Sequence, residues 1–208
     1  MKITKIFTLM IAIGLLSGSY LSAGEAKNET KSVKKAEVKS EAKKETKKEE
    51  LPTFKLKDVN GKVYDIKAVK WGLTFPKLKN KLVFIDMFGK NCPPCLKEIP
   101  HLVNLKKKYK DHIEIIALQV QEGMDIKQTK EFIKEHKINY PVIKGRDFMQ
   151  FIYYFAKKSG WKGMVPYMIM FSPEGKVKLA HKGFIEEAEL EKKIKEEIKA
   201  LKSAKKKK

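Results

Sequence analysis

The sequence predicts an α/β fold, a central sheet with helices on both faces that is entered through an N-terminal β-hairpin. Three observations carry that expectation. Leu82–Phe88 is a nearly continuous apolar run, the pattern of a strand covered on both faces. From there to the end, stretches with strand periodicity alternate with stretches of helical periodicity. Two short strand pairs, one near each end of the domain, are punctuated by Asn60-Gly61 and by Pro173-Glu174-Gly175.

Taken in order, Thr53–Lys57 and residues 62–66 flank Asn60-Gly61, a two-residue hairpin signal. Residues 67–80 follow, with Trp71 and Phe75, and carry no assignable task. After the central strand, residues 94 to about 109 read as a helix with Leu96, Ile99, Leu102, Val103 and Leu105 on its apolar side. Residues 112–120 are a strand and residues 125–136 a second helix. Residues 147–158 form a third, with Phe148, Phe151, Tyr153, Tyr154 and Phe155 making it unusually aromatic. Tyr167–Phe171 and residues 176–181 make the second hairpin. A closing helix carries Leu190, Ile194, Ile198 and Leu201 on one stripe.

Length and charge bound the function. A chain of 208 residues with 42% apolar content is one domain plus extensions. The formal net charge of +21 suggests nucleic acid or an anionic membrane. Arg146 is the only arginine, however, and sequence-reading proteins rely on arginine for bidentate base contacts. No nucleic-acid motif is visible either, so a nucleic-acid role is excluded. The lysines read as a solvated surface, compatible with weak attraction to a membrane face. Lys2 and Lys5, then eleven apolar residues at 6–16, then small residues up to Ala23, follow the order of a secretory signal. That run falls short of the ~20 residues of a spanning helix, so residues 1–23 are expected to be a cleaved signal, with a retained inner-membrane anchor as the alternative. No cysteine precedes Cys92 to carry a lipid. Residues 24–50 are a Lys/Glu-rich linker, 51–202 the folded domain, and 203–208 a basic tail. A periplasmic location makes the cysteine chemistry oxidising-compartment chemistry.

Cys92-Pro93-Pro94-Cys95 sits where the central strand gives way to a helix. A zinc or copper site needs two further ligands, and His101, His112, His136 and His181 are scattered. Attachment of c-type haem needs His after the second cysteine, where Leu96 stands. An inert disulfide across two residues would stabilise little. A dithiol redox site fits best, with no metal and no cofactor beyond the cysteine pair. At a helix N-terminus the first cysteine has a depressed pKa and serves as the exposed nucleophile. The second, one turn in, resolves the mixed disulfide.

The stretch from Leu82 through Asp86, Gly89, Lys90 and Asn91 to Cys92-Pro93-Pro94-Cys95 resembles the thioredoxin active-site segment. With Leu96-Lys97-Glu98-Ile99-Pro100, it is most similar to the TlpA/ResA-like family of exported thiol–disulfide oxidoreductases. Leu51-Pro52-Thr53-Phe54, Met164-Val165-Pro166-Tyr167, Glu174-Gly175-Lys176 and Gly183 extend the resemblance over about residues 51–201. The resemblance implies a thioredoxin-like central mixed sheet. It implies Cys92 as nucleophile, Cys95 as resolving cysteine, and Asp86 as a buried carboxyl able to take a proton from Cys95. Glu98 matches a glutamate that the family places beside its cysteines. Pro166 matches a cis proline, and Val165 with Pro166 would pair with substrate backbone. Pro100 is expected to kink the helix. One departure stands out: Asn91 occupies the position of the Trp that thioredoxins place before the first cysteine, and Trp161 is the candidate to replace it.

These readings point to a periplasmic reductase of oxidised client proteins, in the setting of cytochrome c maturation. It would be recharged by a membrane electron donor of the DsbD/CcdA type. A disulfide-donating oxidase on the same fold is the alternative, and Pro94, lacking an N–H for the Cys92 thiolate, favours the reductase. A copper carrier would want three residues between its cysteines and a partnering histidine. A peroxiredoxin-type peroxidase, and antioxidant activity with it, is excluded because Gly89 stands where that chemistry requires Thr.

Overall fold

The structure is a computed structural model that describes residues 50–206, apart from Glu122. The expected signal, nearly all of the linker and the last two residues of the basic tail lie outside the described residues. Among the described residues the strands form two sheets. β1 (Thr53–Lys57), β2 (Val63–Val69) and β3 (Gly72–Thr74) make a three-stranded antiparallel meander. The larger sheet has the order β6-β5-β4-β7-β8. Its strands are β4 (Leu82–Phe88), β5 (Ile113–Gln119), β6 (Val142–Lys144), β7 (Tyr167–Phe171) and β8 (Val177–Lys182). β4, β5 and β6 run parallel, while β7 is antiparallel to both β4 and β8. The expected mixed thioredoxin-like sheet is therefore present. The helices are α1 (Pro93–Lys108), α2 (Ile126–Glu135), α3 (Met149–Ser159) and α4 (Glu187–Lys206).

Every residue of β4 is buried, and the pleat divides them between two cores. Leu82, Phe84 and Phe88 face one layer, with Ile99, Leu102 and Leu105 of α1, Phe132 of α2, and Leu190 and Ile194 of α4. Val83, Ile85 and Met87 face the other, with Phe151, Ile152 and Phe155 of α3 and Leu56, Ile66 and Leu73 of the meander. Helices thus cover one face, and a helix with a small sheet covers the other. Ile116, fully buried in β5, tests the packing. Ile116→Val is expected to cost ~0.5–1.5 kcal/mol in urea unfolding, because it removes one buried methylene group and leaves a small void.

The structure departs from the sequence reading in several places. The first hairpin does not turn on two residues, since Lys57 already pairs with Val63. Residues 58–62 form the loop, and Asp58 organises it by accepting the backbone N–H groups of Asn60 and Lys62, both at 2.9 Å. Residues 67–80 turn out to have a packing task. β3 lies within them, and the rings of Phe75 and Phe171 meet at 5.9 Å. Gly175 in the β7–β8 turn allows this approach, because a side chain there would strike Val69 and Thr74. β6 was not read from the sequence, being three residues long. The third helix opens with a 3-10 turn at Gly145–Phe148 before α3 begins. α4 runs on to Lys206, so the first residues of the basic tail are helical.

Candidate active site

β4 delivers the chain to the site. It ends at Phe88, and beyond a short connection Cys92 becomes the N-cap of α1 with an extended backbone (φ −108°, ψ 99°). Pro93 and Pro94 fill the first two helical positions, where missing N–H groups and a fixed φ suit a helix start. The first N–H that the helix can offer belongs to Cys95, which donates to the Cys92 sulfur at 3.2 Å. The Leu96 N–H then closes the first turn on the Cys92 carbonyl at 3.0 Å. The two cysteines are joined by a disulfide, with Cα atoms 5.2 Å apart.

Sequence reasoning made Cys92 the exposed sulfur of the pair. In this oxidised form the residue is only 5% exposed and Cys95 2%. The reason is the cap itself, which draws the Cys92 sulfur over the first turn of α1. Pro93 and Pro94 are the exposed residues of the motif.

A buried acid cluster lies on the face of the sheet that α1 covers. Strand alternation puts Asp86 on the same face as Phe84 and Phe88, toward α1. The residue is 3% exposed, and its Oδ1 has no hydrogen-bond partner. Burial pushes its carboxyl well above the usual range. Glu98 stands one turn after Cys95 on α1 and is also buried. Burial raises its pKa first, and a charge on Asp86 raises it further. The Ile185 N–H, donating to Glu98 Oε1 at 3.3 Å, opposes the rise. Tyr140, just before β6, completes the cluster. Its buried phenol is pushed well up by burial and by the charges of Asp86 and Glu98. Sequence reasoning missed Tyr140, because nothing in its local pattern separates it from a core aromatic.

The third wall is the loop that enters β7. Val165-Pro166 is cis, as the resemblance implied. Because β7 pairs antiparallel with β4, with Tyr167 opposite Met87, Pro166 sits at the end of β4 from which Cys92 emerges. Val165 packs against the core cluster that contains both cysteines. Trp161 does not cover the cysteines. It packs on the α3 face of the sheet, and its indole N–H donates to the Met164 carbonyl at 2.6 Å. Pro100 lies inside α1, which continues through it to Lys108.

The structure thus gathers Cys92, Cys95, Asp86, Glu98, Val165 and Pro166 at one end of the sheet. Two sulfurs near a surface, backed by buried carboxyls, form an arrangement that can exchange disulfides and move protons. Among the described residues, no three His, Cys, Asp or Glu side chains converge as a metal-binding set. No helix among them is long and apolar enough to cross a membrane.

Known proteins place this geometry in context. The chain is similar to the thiol-disulfide oxidoreductase ResA of Bacillus subtilis (strain 168), 31% identical over 129 residues, covering 62% of this chain and 63% of that protein. The ResA of Bacillus anthracis is 37% identical over 95 residues, 45% of this chain and 49% of that one. The matches therefore span about half to just under two thirds of these curated relatives. Among solved structures, a thiol:disulfide interchange protein of the thioredoxin family from Chlorobium tepidum TLS superposes with a TM-score of 0.55 at 24% identity. That match covers 69% of this chain and 92% of the other. StoA from Bacillus subtilis superposes at 0.52 with 17% identity, covering 68% and 96%. At such identities these two likenesses speak for the fold. The profile of the AhpC/TSA family matches residues 47–180, and the chain, a thioredoxin fold with its cysteine pair capping the first helix, belongs to that family.

Proposed function

We propose that this protein is an exported protein-disulfide reductase working through Cys92 and Cys95. The observation that carries the reading is a disulfide at the N-terminus of α1 on the same sheet face as the buried, protonatable Asp86, with the buried Glu98 on that same helix. In the reduced protein the Cys92 thiolate attacks one sulfur of a client disulfide, and a client thiolate leaves. Asp86 takes the proton of Cys95. The Cys95 thiolate then attacks the Cys92 sulfur, releasing the second client thiolate and closing the protein disulfide. Two electrons pass to the client. A membrane thiol donor of the DsbD/CcdA type would restore them, and cytochrome c maturation is the setting in which such a reductant serves. The names of the ResA relatives support thiol–disulfide exchange.

The cap supports the reductive direction of electron flow. Of the first three helical residues, Pro93 and Pro94 have no N–H, so a single backbone donor, that of Cys95, reaches the Cys92 sulfur. A thiolate with few donors is poorly stabilised, which makes the dithiol a better reductant. A peroxidase of the peroxiredoxin type is disfavoured, because Gly89 supplies no hydroxyl three residues before Cys92. A side chain at position 89 would also have to displace Gln121. We expect the Cys92–Cys95 couple to lie nearer the potential of thioredoxin, about −270 mV, than that of DsbA, about −120 mV. Equilibration against glutathione, with alkylated mass as the readout, measures it. The two reference values differ by roughly 7 kcal/mol for two electrons. A result at the DsbA end would make the protein a disulfide donor.

A further inference from the structure

The turn between β2 and β3 consists of Lys70 and Trp71 alone, because Val69 already pairs with Gly72. Two-residue turns are ordinarily filled by Gly, Asn or Asp. Here an indole takes the place and stays 55% exposed. A backbone bridge between Gly72 and Lys176 ties the turn to the start of β8. Trp71 borders a cavity of about 290 Å³. Buried Leu73, Phe155, Ile169 and Phe171 line it from the α3 face of the sheet, and the exposed Leu51 and Val177 line it as well. Two ammonium groups stand beside these rings. Lys70 Nζ lies 5.4 Å from the centre of the Trp71 ring, and Lys158 Nζ lies 5.9 Å from that of Tyr154. Among the described residues neither lysine has an ion pair, and no acidic residue lines the cavity.

Apolar residues exposed singly are ordinary. Three of them around one apolar cavity, with two cations beside it, ask for an occupant that is apolar and anionic at once. A client disulfide is the wrong occupant. Both cysteines belong to the core on the α1 face, whereas this cavity opens on the α3 face. The volume falls at the small end of the range for free ligands, about 300 Å³ and more, so it suits part of a lipid rather than a whole one. We propose that the cavity and its turn are a membrane-docking site that takes an anionic phospholipid. The phosphate would lie at Lys70 and Lys158, with a segment of acyl chain against the apolar lining. Indoles settle at the depth of the membrane–water interface, and lysine stems run along apolar surface while their ammonium groups stay with the phosphates. The net charge of +21 draws the protein toward such a surface, and the Trp71 turn decides which face meets it. Docking by the α3 face leaves the opposite face, with its disulfide, open to exchange. The inference goes beyond the reductase reading and holds for either direction of electron flow.

The test uses full-length protein and vesicles of phosphatidylcholine with or without phosphatidylglycerol, their acyl chains brominated to quench nearby indoles. The chain has two tryptophans, and the other, Trp161, packs on the core. Vesicles containing phosphatidylglycerol are expected to quench the wild type, and Trp71→Phe should abolish that quenching. Replacing Lys70 and Lys158 together by Gln should raise the lipid concentration for half-quenching about tenfold or more. Lys127 and Lys130 on α2 flank another exposed apolar residue, Ile126, without such a cavity. Replacing that pair by Gln removes the same charge and should shift the midpoint by no more than about twofold. Absence of quenching, quenching that survives Trp71→Phe, equal quenching by neutral vesicles, or equal shifts from the two lysine pairs each overturns the inference. Reduction of a small aliphatic disulfide by the wild type is measured alongside. Its failure would remove the reductase reading and leave the docking site standing.

Discussion

Cys92→Ala is expected to abolish client reduction, with turnover falling ~10³-fold or more, because no other thiolate stands at the cap to attack the client disulfide. Cys95→Ala should fail differently. Its Cys92 can still displace one client sulfur, but the mixed disulfide then has no internal thiolate to resolve it, so covalent complexes accumulate. Non-reducing electrophoresis and mass mapping of the two variants distinguish them. The cap also predicts the order of alkylation in the reduced protein. Cys92, bonded by the Cys95 N–H and flanked by exposed prolines, should react first with iodoacetamide near neutral pH. Equal trapping by both variants, or equal labelling of both cysteines, would reverse or erase the assigned order of attack.

Asp86→Asn should slow the resolving step ~10²-fold while leaving first attack by Cys92 within a few-fold. The same substitution should stabilise the oxidised protein by about 2 kcal/mol at pH 8. The sign follows from the raised carboxyls. Folded Asp86 and Glu98 hold their protons at pH values where the unfolded chain, with carboxyls titrating near 4, has already released them. The folded state therefore binds more protons across that window, and stability falls as pH rises from about 4 through the raised folded values. Asp86→Asn removes one of the two groups, so its stability curve should be flatter on the alkaline side. Urea unfolding between pH 4 and 9 and single-turnover kinetics can be run on the same preparations. A variant that matches the wild type in rate and in stability would make Asp86 a bystander. Glu98→Gln, which can keep an oxygen for the Ile185 N–H, should flatten the curve without the full loss in resolution rate.

Where the chain carries strong local patterns, the sequence was readable. β4 was read to the residue, since an unbroken apolar run flanked by Lys81 and Gly89 admits few alternatives. α1 begins one residue earlier than expected because Pro93 fits the first helical position as well as Pro94 fits the second. β3 and β6, three residues each, were not seen, because so short a strand has no period to detect. The five-residue loop after β1 was misread as a two-residue turn because Asp58, which organises it, acts through two side-chain contacts that no dipeptide pattern reports.

The sequence alone singled out the atoms that are the candidates for electron exchange. Two cysteines separated by two prolines, at a strand-to-helix junction, put that pair at a helix start, because local geometry follows from local sequence. Only the tertiary structure decided what surrounds those sulfurs. The pleat of β4 turns Asp86 inward, α1 carries Glu98, and the approach to β6 adds Tyr140, so residues 86, 98 and 140 are buried within electrostatic reach of one another. Their raised pKa values come from the removal of water by distant segments. A charge has its energy set by the whole shell around it, and that shell exists only once the chain has folded.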